Sequence, residues 1–116
     1  MTAHSKDDRS VGEKIAGMLG FAARARRLVV GTELVCDMMQ RGKKGSCMIV
    51  VSEEASDNTK KRIRNCCERT GTEMYTVPID QSRLGHSIGK KSLVAAVAVT
   101  DGNMAKAIRN ILKEGA

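Results

Sequence analysis

Aromatic residues are almost missing from this chain. Its 116 residues hold one Phe (Phe21), one Tyr (Tyr75) and no Trp. Single-strand RNA binders of the RRM or OB type stack bases on several aromatic rings, and no such platform can be built here. A nucleic acid bound by this chain must be read through backbone, shape and base edges. The four cysteines, Cys36, Cys47, Cys66 and Cys67, contain no CxxC pair, which argues against zinc. Cys36, Cys47 and one of the vicinal pair read as small core residues. No apolar segment of signal-peptide type follows the polar start MTAHSKDDRS, so reduced thiols and a cytoplasmic location are expected. The longest apolar run, Leu93 to Val99, is far too short to span a bilayer.

Catalytic chemistry is also thinly provided. There is no GxxxxGK[ST] phosphate loop and no set of His and Asp at metal-ligand spacing. His4 stands in the polar start. His86, flanked by Gly85 and Gly89, reads as a residue that shapes a loop. The expectation is a protein without enzymatic activity, metal or cofactor.

Positive charge, in contrast, is abundant. Lys plus Arg number 20 against 13 for Asp plus Glu, a formal charge of +7 and a pI near 9.5. Such an excess attracts polyanions. The length fits one domain with a real core. It is placed at residues 11–115, behind a flexible polar tail at residues 1–10.

Along the chain, Ser10-Val-Gly-Glu13 has the form of a capping box. Apolar residues from Ile15 to Ala25 then follow at helical spacing, so a first helix is predicted from about 11 to 24. Leu28-Val29-Val30 is β-prone and ends at Gly31; Leu34, Val35, Met38 and Met39 mark a second helix, stopped by Gly42 before a basic Lys43-Lys44-Gly45 turn. Cys47 to Val51 is continuously apolar and β-branched, as in a strand buried on both faces. Ser56 caps a third helix with Ile63, Cys66 and Cys67 inside, ended by Gly71. The outward Lys60, Lys61, Arg62 and Arg64 read as a solvated face. Met74 to Val77 is a further strand, a short helix runs from about 80 to 87, and Leu93 to Val99 is a second fully buried strand. Thr100 to Asn103 starts a last helix, with Met104, Ile108, Ile111 and Leu112 on one stripe. Alternating helices and strands predict an α/β fold: a three-layer α/β/α sandwich around a mixed four-stranded sheet.

Two stretches, Met18-Leu-Gly-Phe-Ala-Ala-Arg-Ala-Arg-Arg-Leu-Val-Val-Gly31 and Leu84-Gly-His-Ser-Ile-Gly-Lys-Lys-Ser-Leu-Val-Ala-Ala-Val-Ala-Val-Thr-Asp101, flank Ser56-Asp-Asn-Thr-Lys-Lys. Together they resemble the kink-turn RNA-binding ribosomal-protein family (the L-seven-Ae family), closest to its bacterial YlxQ-like branch, over roughly residues 12 to 112. The resemblance implies the same α/β/α fold. It also implies binding to kink-turns, sharply bent RNA duplexes with consecutive G·A pairs, in a ribosomal or ribonucleoprotein setting; a monomer is expected. In that family the start of the second helix meets the G·A pairs, and a loop before the last strand closes over the bend. Those positions are here Gly31, Thr32, Glu33, Leu34 and Asp37 on the helix, and Gly89, Lys90, Lys91, Ser92 and Leu93 in the loop. Arg24, Arg26 and Arg27, just upstream, complete the expected RNA-binding set by contacting phosphates.

A helix start suits such a role because its first N–H groups lack intrahelical partners and carry partial positive charge. The family pattern at this place is Gly-x-Asn-Glu-x-x-Lys, and the chain departs from it with Glu33, Leu34 and Asp37. Acid thus stands where a polyanion would approach. The rival reading is a protein–protein interaction module on the same fold; a redox or metal protein built on the cysteines is a third class, which titration of free thiols would expose.

Overall fold

The computed structural model describes residues 2–42 and 48–115, with side chains over residues 9–42 and 48–114. Strand β2 (Met48–Ser52) is buried at every residue, the mark of a strand covered on both faces. Successive side chains leave it in opposite directions. Met48 and Val50 join one apolar cluster, Ile49 and Val51 the other. The chain order is α1 (Thr2–Arg24), β1 (Leu28–Val30), α2 (Thr32–Gln40), β2, α3 (Asp57–Thr70), β3 (Glu73–Val77), α4 (Gln81–Ser87), β4 (Ala96–Val99) and α5 (Gly102–Gly115). The four strands form one sheet in the order β1-β4-β2-β3. Strands β1 and β2 pair antiparallel with β4, while β2 and β3 run parallel, so the sheet is mixed.

One face is covered by α1, α4 and α5, through Ile15, Leu19, Leu84 and Ile108. The other is covered by α2 and α3, through Val35, Met39, Ile63, Cys66 and Cys67. This is the expected three-layer α/β/α sandwich. Each fully buried Leu or Ile contributes roughly 1.5–3 kcal/mol relative to exposure. The caps of α3 fall as read from sequence: Ser56 Oγ accepts from the Thr59 N–H at 3.1 Å, and Gly71 closes the helix at φ 69°.

Several boundaries differ from expectation. Helix α1 begins at Thr2, not near residue 11, and the backbone of residues 2–10 continues it. No Gly or Pro interrupts residues 2–10, and the Ser10–Glu13 motif sits inside the helix. Strand β4 begins at Ala96, not Leu93; Leu93 is 66% exposed, and an apolar run alone does not say which of its residues pair. Both Cys66 and Cys67 are buried, rather than one of the two. Cys47 and the Lys43–Gly45 turn lie outside the described residues.

Candidate functional site

A cleft of about 380 Å³ lies where β1 hands over to α2, walled on its far side by the loop before β4. Gly31 and Thr32 line one side; Lys90, Ser92 and Leu93 line the other. The fold therefore brings together residues of the two segments that the sequence nominated, Thr32 and Lys90 being 58 residues apart in the chain.

Both walls hang from the start of β4. The Gly31 N–H donates to the Ala96 carbonyl at 2.9 Å, and the Ser52 N–H donates to that of Ala95 at 2.8 Å. The Val94 N–H donates to the Gln81 carbonyl at 3.1 Å. Gln81 is fixed in turn by the Glu54 carboxylate, which accepts its N–H at 2.9 Å. The buried Ser52 hydroxyl, donating to the Ile79 carbonyl at 2.6 Å, holds the preceding turn. Helix α4 ends in a Schellman arrangement: Lys90 N–H to Gly85 carbonyl at 2.8 Å, and Gly89 N–H to His86 carbonyl at 3.1 Å. Gly89 takes the left-handed position at φ 82°. These bonds set the height of the 89–93 loop over the cleft.

On the opposite wall, Gly31 sits at φ 100°, ψ 144° as the cap residue of α2 and offers no side-chain cap. Its own N–H is spent on Ala96, so the groups at the helix start are the first-turn amides of Thr32, Glu33 and Leu34. A Cβ at Gly31 would meet nothing within 4 Å. The glycine is therefore demanded by its backbone angle, and the space before it is open. Leu34 and Leu93, 60% and 66% exposed, stand on the helix and the loop.

The acids of α2 are not bare. Arg62 of α3 grips Glu33 with two hydrogen bonds, Nη1 to Oε2 at 2.7 Å and Nη2 to Oε1 at 2.9 Å. That bonding holds the Glu33 carboxyl below its usual range. Asp37 accepts from Arg41 Nε at 2.9 Å, one turn along the helix. Each carboxylate thus carries its own guanidinium. Among the described residues Arg24, Lys90 and Lys91 form no ion pair, and Lys90 is the one charged residue among those that line the cleft.

The comparisons with known proteins bear on most of the chain. Residues 13–109 match the Ribosomal protein L7Ae/L30e/S12e/Gadd45 family. The chain belongs to that family. It is similar to the RNA-binding protein YlxQ of Bacillus subtilis (strain 168), 36% identical over 99 residues, covering 82% of this chain and 91% of that one. A YlxQ of Enterococcus faecium is 26% identical over 106 residues, covering 87% and 93%. Among solved structures, a protein of unknown function from Bacillus halodurans C aligns at TM-score 0.75 and 29% identity, over 86% of this chain and 97% of that one. The Giardia lamblia 15.5kD RNA binding protein aligns at TM-score 0.71 over 92% and 91%. At 13% identity it shows the shared fold.

All the nominated residues fall inside the family match, but they do not all converge. Lys91, Glu33, Leu34 and Asp37 are exposed beside the cleft without being among the residues that line it. Arg24 lines a neighbouring groove with His86 and Gly89. Arg26 and Arg27 stand at the far end of β1, where the Arg27 carbonyl accepts from the Thr100 N–H at 3.0 Å. Four residue steps of strand separate Arg27 from Gly31, about 13 Å at 3.3 Å each. Arg26 holds φ 61°, the left-handed place of a second Schellman motif, with Arg27 N–H to Ala22 carbonyl at 2.9 Å and Arg26 N–H to Ala23 carbonyl at 3.1 Å.

Sequence reasoning missed Gln81 as a cleft wall and Arg62 as the partner of Glu33. Nothing local to Gln81 announces a contact with Val94. Arg62 was assigned to a solvated face, and its pairing across α2 and α3 has no signal in spacing. Behind these helices the Cys36 thiol is pushed up to about 11, first by burial and then by its hydrogen bond to Cys66. Such a thiol is a core group, not a nucleophile.

Proposed function

We propose that this protein binds structured RNA through the cleft between the start of α2 and the 89–93 loop, without catalysing a reaction. The favoured ligand is a kink-turn or similarly bent RNA, within a ribosomal or other ribonucleoprotein particle in the cytoplasm. The observation that carries this reading is the juxtaposition itself: helix amides without a side-chain cap face, across an open cleft, a loop whose lysines form no ion pair among the described residues. Membership of a family whose relatives include RNA-binding proteins supports it. The amides of Thr32 to Leu34 are suited to base-edge or phosphate oxygens. Lys90 and Lys91 supply charge for phosphates, and the exposed Leu34 and Leu93 offer apolar contact to bases unstacked at a bend.

The test is binding to a kink-turn RNA against the same duplex with its G·A pairs replaced by Watson–Crick pairs. Clear preference for the bent RNA is expected, with affinity falling as salt rises. Equal binding to both would remove the kink-turn. Absence of RNA binding at low salt would favour a protein-interaction module on this fold, a reading that the same two exposed leucines support.

A further inference from the structure

A second groove, about 400 Å³, runs between α1 and α4 and adjoins the cleft in the chain, Gly89 lining the groove and the next residue, Lys90, lining the cleft. Its floor is backbone. A Cβ at Gly20 would lie 2.7 Å from the Ser87 carbonyl oxygen, so the two helices meet with no side chain between them. The Arg24 guanidinium lies over that floor, with Nη1 3.7 Å from the same position. His86 is exposed on the groove's other side. Among the described residues neither Arg24 nor His86 pairs with a carboxylate. The acid at the groove's continuation, Glu13, is held by Arg83 at 2.5 Å. Phe21, the one phenylalanine, is 52% exposed one helical turn before Arg24.

We infer that this groove is a second RNA subsite, which takes the phosphate–ribose backbone of nucleotides running on from the bend. The inference rests on the proposed RNA reading of the cleft. Arginine donors that meet no carboxylate among the described residues, set beside the bare Gly20–Ser87 contact, suit a phosphate that must come close. Continuity decides between sources: Lys90 of the cleft is followed back along the chain by Gly89 of the groove, and none of the residues that line the groove is an acid. Phe21 then offers a ring face to a base or sugar leaving the groove.

The experiment compares two RNAs, a minimal kink-turn and the same kink-turn with a short single-stranded extension at its ends. Wild-type protein should bind the extended RNA roughly three- to tenfold more tightly. Gly17→Glu places an acid in the groove's continuation, at a position where a Cβ meets nothing within 4 Å. It should erase that increment and leave minimal-RNA affinity within about twofold. Gly17→Ala is the steric control and should retain the increment. His86→Ala should reduce it, and Arg24→Ala should lower the salt slope on the extended RNA by about one unit. An increment unchanged by Gly17→Glu, or no increment in the wild type, overturns the subsite. Equal losses on both RNAs place these residues in the cleft and also overturn it. Failure of the minimal kink-turn to bind better than its paired control is a separate result: it removes the cleft reading, and the groove with it.

Discussion

Gly85 fixes how high the covering loop stands, and its replacement by alanine gives a prediction with a magnitude. A Cβ there would lie 2.2 Å from the Ser92 carbonyl oxygen, a backbone atom with no rotamer to escape into. Restoring ordinary contact requires the loop or α4 to move by about 1 Å. Overpacking of this kind costs about 1–3 kcal/mol, and so severe an overlap belongs at the upper end. Against it stands the gain of about 1 kcal/mol from Gly to Ala inside a helix. The net loss is about 2 kcal/mol, or roughly 8 °C in Tm for a chain of this length. Gly17→Ala makes the same chemical change in α1 with nothing within 4 Å, so only the helix term remains and Tm should rise by a few degrees. Thermal and urea unfolding followed by circular dichroism measure both. Gly85→Ala should also bind a kink-turn more weakly at a temperature where it is fully folded, because Ser92 and Leu93 move with the loop. If Gly85→Ala melts at or above the wild type and binds RNA equally well, the loop is not seated on α4 as described.

Asp37→Lys deletes an acid beside the cleft, frees Arg41 and adds a cation; kink-turn affinity should rise roughly tenfold, the size of one good base-edge contact. Calorimetry at two salt concentrations checks it, with a smaller gain at the higher salt and no gain at either if Asp37 faces away from RNA. Arg26→Gly relieves a left-handed arginine and should stabilise the fold by about 0.5–1 kcal/mol in urea unfolding; an unchanged midpoint would mean that the Schellman turn imposes no strain. Hydrogen bonds from Arg62 and Arg109 hold the Glu33 and Glu73 carboxyls below the ordinary 4.5. Their stabilisation is therefore present above that value and lost as pH falls through the lowered range. A Glu33→Gln, Glu73→Gln double variant should lose less stability than wild type on acidification below pH 4.5, measured as the shift in urea midpoint.

What could be read in advance depended on whether a feature is local. Ser56 and Gly71 bound α3 because each acts on backbone groups within a turn of itself. β2 was legible because burial on both faces leaves no polar residue in the run from Met48 to Val51. Leu93 to Ala95 looked like part of β4 for the same reason and is not: apolarity reports that a residue avoids water on average, not that its backbone finds a strand. The order of the strands, and hence the meeting of Gly31 with Ser92, depends on pairings such as Val30 with Val97 that no spacing encodes. The two acids of α2 make the distinction sharpest. Asp37 and Arg41 are four apart on one helix, so their pairing follows from helical geometry alone. Glu33 and Arg62 lie on different helices, 29 residues apart. Yet the second pair matters more to the cleft, since it neutralises the acid nearest the α2 amides. A carboxylate at a proposed RNA surface is thus an objection in one dimension and half of a neutral pair in three.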